Sequence, residues 1–146
     1  FYSNVARQTD SEAVSKIFTM MAEEEDQHIA FLSKQFSHYE KHKTFIENDP
    51  HVENPSEDAT MQVLTDKMKS QISAASFEAA AINAAIDFET RAVNLYAGRA
   101  EASTDTNEKK MYNMLAEWER GHHKILHDLN EALKESIWND NQFWPF

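Results

Sequence analysis

Apolar residues recur along this chain at alternating intervals of four and three, and at five points the interval is kept by a residue that is not apolar. One run is Val14, Phe18, Met21, Glu25, His28 and Leu32. A second is Ala79, Ile82, Ile86, Glu89, Val93 and Tyr96. A third is Tyr112, Leu115, Glu119, His122, Leu126, Leu129 and Leu133. Such spacing puts each run on one stripe of a helix, the stripe that a bundle buries. Thr9-Asp-Ser-Glu12 reads as a capping box opening the first of these helices, and Asp105-Thr-Asn-Glu108 as the cap of the last. The middle helix is expected from about Phe77 to Ala100. Residues 1–8 read as the last turns of a preceding helix. Residues 37–56 are polar and carry Pro50 and Pro55, which predicts a loop or an irregular crossing. Beyond it, Ser56 can open a further helix with the stripe Met61, Leu64, Met68 and Ile72. Residues 102–106 make a short turn, and Trp138–Phe146 form an aromatic tail expected to pack across the bundle or against a second subunit.

Composition supports helices throughout, because Gly 2 and Pro 3 are very low counts for 146 residues. Short loops make antiparallel neighbours, and one long connection joins the two pairs. The expected architecture is all-α, a four-helix bundle with a long crossover between two helix pairs and an extra crossing helix. One domain is expected over 1–146: a first half over 1–36, a crossover over 37–76, a second half over 77–137 and the tail over 138–146. The net charge of −11 argues against nucleic acid and anionic membranes as partners. The chain has no cysteine, which excludes disulfides, thiolate zinc sites and Cys-ligated iron–sulfur or rubredoxin-type centres. A cytoplasmic location is the default expectation. Phe1 is not an initiator methionine, so the true N-terminus is expected upstream, where a targeting segment stays open.

The polar residues in the stripes belong to an internal repeat. A shift of 94 residues carries Tyr2, Glu25 and His28 onto Tyr96, Glu119 and His122 without a gap. It also superposes Ala6 on Ala100, Met20 on Met114, Ala22 on Ala116, Glu23 on Glu117 and Leu32 on Leu126. Each half thus carries one Glu-x-x-His: Glu25-Asp-Gln-His28 and Glu119-Arg-Gly-His122. A carboxylate and an imidazole three apart share one helix face and can hold one metal ion; two pairs suggest two ions side by side. Energetics point the same way. A buried, uncompensated charge costs several kcal/mol even after relaxation. Three stripe carboxylates in one core would weigh heavily on a domain stable by ~5–15 kcal/mol. Divalent cations relieve both the burial and the mutual repulsion. Oxygen and imidazole donors without thiolate suit iron or manganese, and zinc less distinctively. Carboxylates can bridge two ions about 3.5–4 Å apart.

With Leu115-Ala-Glu-Trp-Glu119-Arg-Gly-His122, Met21-Ala-Glu-Glu-Glu25-Asp-Gln-His28, and Glu89 followed seven residues later by Tyr96, the chain resembles a rubrerythrin-type member of the ferritin-like superfamily. In ferritin-like di-metal bundles one Glu from each of two helices joins a Glu-x-x-His from each of the other two. The resemblance covers nearly the whole chain. It implies a di-iron site with Glu25, His28, Glu89, Glu119 and His122 as ligands, Glu25 and Glu119 among the carboxylates that hold or bridge the ions, and each His capping one. It implies that Tyr2 and Tyr96 stand behind the ligands and hydrogen-bond their carboxylates. Three departures stand out. The sixth ligand, a Glu seven residues before Tyr2, falls upstream of Phe1. No rubredoxin-like domain accompanies the bundle, so any electron donor is a separate protein. The additional Glu that peroxidase-type rubrerythrins carry three residues after the helix-three ligand is Ala92 here, which turns the expectation towards a simpler oxidase, ferroxidase or metal-holding role.

The function implied is that of a non-haem di-iron protein. It would carry out redox chemistry with hydrogen peroxide or dioxygen, or oxidise ferrous iron, using an external donor. The chain is expected to form a homodimer or a higher homo-oligomer. Three rivals remain: iron storage without turnover, a di-manganese catalase-like enzyme, and a structural bundle with a degenerate site. A mixed iron–manganese centre or adventitious zinc are the other possible occupants. Outside the ligand set, Glu23, Glu24 and Glu117 read as solvated helix charges. His38, His42 and His51 read as a solvated cluster, and His123 and His127 as surface residues. The methionines read as core filler.

Overall fold

The computed structural model describes residues 1–47 and 77–140. Four helices are seen among these residues, with no strand: α1 (Tyr2–Gln8), α2 (Glu12–His42), α3 (Phe77–Ala102) and α4 (Thr106–Asp140). α1 packs on α2 and α3 on α4, so the described chain is two helical hairpins. The expected all-helical bundle is therefore present. The crossing helix with Met61, Leu64, Met68 and Ile72, the residue His51 and the end of the aromatic tail lie outside the described residues.

Local chemistry sets the helix ends, and in two places it departs from expectation. α2 is capped by Ser11 and not by Thr9: the Ser11 hydroxyl accepts the Val14 N–H at 3.4 Å. The Thr9 hydroxyl is engaged elsewhere, accepting the Ser11 N–H at 3.1 Å and donating to Glu78 Oε1 at 2.7 Å. The other departure is at the far end of α2, which continues through residues 37–42, where a loop was expected. No glycine or proline occurs in that stretch, and Lys41 and His42 complement the negative end of the helix dipole. The helix stops at Lys43, in the left-handed region at φ 58°, whose N–H bonds the Tyr39 carbonyl at 2.8 Å. Phe45 then turns back, buried, and stacks on Tyr39 with ring centroids 4.7 Å apart. Fully buried Gln35 fastens the return, its Oε1 accepting the Ile46 N–H at 3.0 Å. α4 begins as expected, with Asp105 Oδ1 accepting the N–H groups of Asn107 and Glu108, both at 2.8 Å.

Two apolar clusters hold the hairpins together. One gathers Tyr2, Val5 and Ala6 of α1, Val14, Ile17, Phe18 and Met21 of α2, Ala81, Ile82 and Ala85 of α3, and Leu126 and Leu129 of α4. The other gathers Phe45 with Ala100 of α3 and Met111, Tyr112, Leu115 and Trp118 of α4, with Phe31, Leu32, Tyr96 and Met114 against them. Met21 and Met111 are fully buried, as core filler should be. Along each long helix the two clusters flank one short stretch: Glu24 to His28 on α2, Glu89 on α3, Glu119 to His122 on α4. The polar residues of the stripes thus form a layer between two greasy ends.

Candidate metal centre

The five expected ligand residues converge on that layer from three helices. His28, Glu89, Glu119 and His122 are buried, and Glu25 is half-buried. Ligand atoms of Glu25, Glu89, Glu119 and His122 all lie within 4.8 Å of one another, close enough to share an ion.

Glu119 stands between the two imidazoles, with Oε1 3.2 Å from His28 Nδ1 and Oε2 3.5 Å from His122 Nδ1. Glu25 does the same from the opposite helix: Oε2 is 3.7 Å from His28 Nδ1 and Oε1 3.3 Å from His122 Nδ1. Each of these carboxylates therefore offers one oxygen to each side. Glu89 serves one side only, with Oε1 3.5 Å from His122 Nδ1. The two imidazoles lie nearly parallel, ring centroids 5.6 Å apart. This division follows from the helix period: Glu and His three apart in each half point inward together, and packing the halves face to face interleaves the two pairs.

The electrostatics reflect crowding of like charges around two bases. Burial alone would push the His28 imidazolium down, but Glu119 and Glu25 outweigh it and hold its pKa up at about 9. His122 is also held up against its burial, by Glu119, Glu24, Glu25 and Glu89. Burial would raise Glu119, yet the facing histidines bring it down to about 2. Glu25 goes down for the same reason, whereas burial drives Glu89 up. Unequal carboxylates packed on shared histidines are what a site designed for cations looks like before the cations compensate it.

A test of fit comes from the unpaired atoms. His28 Nδ1, His122 Nδ1 and Glu119 Oε2 are buried without a hydrogen-bond partner. Buried polar atoms are rarely left so. His28 Nδ1 and His122 Nδ1 both lie within 3.5 Å of Glu119, and oxygens with imidazole nitrogens are a donor set suited to iron or manganese. Glu25, Glu89, Glu119 and His122 thus fit a metal ion, with His28 beside them against Glu119 and Glu25.

The tyrosines divide. Tyr2 is buried and its hydroxyl donates to Glu89 Oε1, from the opposite hairpin. Burial and the adjacent Glu89 push its pKa up, so it remains a donor. Tyr96 is half-buried and stacks on Tyr112 with centroids 6.2 Å apart. Burial, with Glu119 and Glu25 nearby, pushes it up to about 12. Its hydroxyl makes no hydrogen bond to a carboxylate among the described residues.

One expectation is corrected. Glu23 and Glu117 are exposed as expected, but Glu24 is buried and 2.5 Å from His122 Nε2. The run Glu23-Glu24-Glu25 hides it. A second stripe, Ile17, Met21, Glu24, His28, Phe31 and Gln35, keeps the same alternation of four and three, and would have shown it facing inward. His42 and His127 are exposed, and His38 and His123 half-exposed; the first pair is tilted and the second stacked along its helix.

No helix among the described residues is long and apolar enough to cross a membrane. Neither the curated proteins nor the solved structures give a match to the chain. The rubrerythrin family matches it over residues 1–130. The chain therefore belongs to the rubrerythrin family, whose members are di-iron proteins with redox or peroxide chemistry.

Proposed function

Starting from a rubrerythrin-family chain with this polar layer, we propose that it is a non-haem di-iron protein that reduces hydrogen peroxide or dioxygen, or oxidises ferrous iron, with electrons from a separate donor protein. The observation that carries this reading is the trio of unpartnered buried ligand atoms, His28 Nδ1, His122 Nδ1 and Glu119 Oε2, facing one another between two apolar clusters.

A pair of ferrous ions held by these residues would supply the two electrons that a peroxide needs. The chain supplies the rest. Glu25 and Glu119, each with one oxygen towards either imidazole, would hold both ions, His28 and His122 would each hold one, and Glu89 would add to the His122 side. Tyr2 donates a hydrogen bond to Oε1 of Glu89, the oxygen that also lies 3.5 Å from His122 Nδ1, and so orients that carboxylate. The apolar clusters at either end keep bulk water from the layer, so charges inside it interact strongly. Ala92, half-buried one turn beyond Glu89, offers no further ligand oxygen. The lack of a carboxylate there favours a simple oxidase or ferroxidase over a peroxidase that exchanges ligands through that position.

The test is anaerobic loading of the full-length protein with Fe²⁺, followed by peroxide or dioxygen. The expected result is two ferrous ions bound per chain, and two oxidised for each peroxide consumed. Binding without oxidation on addition of either oxidant would contradict the redox role.

A further inference from the structure

The repeat that superposes His28 on His122 also superposes Glu24 on Trp118, and these two residues each reach across to the other half's histidine. Glu24 Oε2 lies 2.5 Å from His122 Nε2, within hydrogen-bond distance of that ring nitrogen. Trp118 instead lies flat on His28, centroids 4.7 Å apart and planes 14° apart. One position of the duplicated framework thus presents a carboxylate to one imidazole and an indole face to the other. Both contacts are buried: Glu24 is 6% exposed and Trp118 8%.

This difference acts on the ligand nitrogens. A carboxylate accepting the outer N–H of a histidine fixes its tautomer and ring angle and makes the inner nitrogen a better donor. At His122 that inner nitrogen is Nδ1, which faces Glu25, Glu89 and Glu119. A stacked indole holds the plane of the His28 ring but does not accept its N–H. Resting on the di-metal reading above, we propose that the two halves of the site are unequal. Glu24 is a positioning residue that makes the His122 side the tighter one, filled first. The His28 side, where the Trp118 indole stacks on the ring and no carboxylate among the described residues is seen to accept its outer N–H, fills second.

Calorimetric titration of the metal-free, full-length protein with Co²⁺, followed also through the cobalt ligand-field bands, tests this. His28→Ala should keep the first, tight step and His122→Ala should lose it. Glu24→Ala should weaken the first step by about 10- to 100-fold and leave the second unchanged. Glu24→Gln keeps the shape and an acceptor oxygen but not the charge, and should fall between Ala and wild type; Glu24→Asp should recover part of the loss. The ligand-field bands of the first equivalent should shift in the Glu24 variants. Equal weakening of both steps, or a first step that survives His122→Ala, would overturn the inequality while leaving a two-ion site intact. Absence of Co²⁺ binding to the wild-type protein would overturn the metal reading itself.

Discussion

The ends of the bundle and its middle lie on the same helices and are made of opposite materials. At the ends, Phe18, Ile17, Met21, Ile82, Leu126 and Leu129, and then Met111 and Leu115, are fully buried and carry nothing to protonate. In the middle, Glu24, His28, Glu89, Glu119 and His122 are as deeply buried and are all ionisable. Burial of the first group stabilises the fold by about 1.5–3 kcal/mol per large side chain. Burial of the second costs stability unless partners compensate it, and three of its atoms have ion-pair contacts but no hydrogen bond. The lesson is that stability and ligand binding are assigned to different layers, so substitutions should separate them.

The largest separation is expected at Glu119, the residue that faces both histidines. Glu119→Ala should abolish tight metal binding and any oxidant consumption. It should also destabilise the metal-free protein by about 3–5 kcal/mol, because two buried imidazoles lose their common partner. Elemental analysis and urea unfolding check the two halves of that statement. Leu126→Ala, in an apolar end, should cost about 2–5 kcal/mol in urea unfolding while the metal stoichiometry stays as in the wild type. Metal loss in Leu126→Ala at a temperature where it is folded would blur the proposed division of labour.

A pH series sharpens the same contrast. His28 is raised from 6.5 to about 9 by Glu119 and Glu25 against its burial. A raised imidazole contributes stability that is fully present below pH 6.5 and is lost as pH rises through about 9. The metal-free protein should therefore lose stability between those values. The metal-loaded protein should not, since the ion takes the place of the proton, and its affinity should rise over the same window with release of protons. Thermal unfolding of both forms from pH 6 to 10 reads this out; parallel curves would contradict it. The smallest effect belongs to a residue in neither layer. Asp105→Ala removes the cap of α4 and should cost about 1 kcal/mol with metal binding untouched.

Much of this was legible in the chain. Glu25, His28, Glu89, Glu119 and His122 interrupt stripes that otherwise demand apolar side chains, and a polar residue in a buried register is a strong signal. The repeat then paired the two halves before any coordinates did. Glu24 was not legible from the single stripe, because α2 is buried over a face wider than one file of residues and a run of three glutamates shows no contrast. The last turn and a half of α2 was missed for a different reason. Its residues 37–42 are polar because that end of the helix stands in water, not because it ceases to be helical. The Ser11 cap depended on Thr9 being occupied by Glu78, a partner far away in sequence.

The most direct test is anomalous diffraction at the iron edge from crystals of the full-length protein loaded with Fe²⁺. Two peaks are predicted, spanned by the carboxylates of Glu25 and Glu119, one against His28 Nδ1 and one against His122 Nδ1. A map with no peak in this layer, or with these side chains turned out to solvent, would contradict the account.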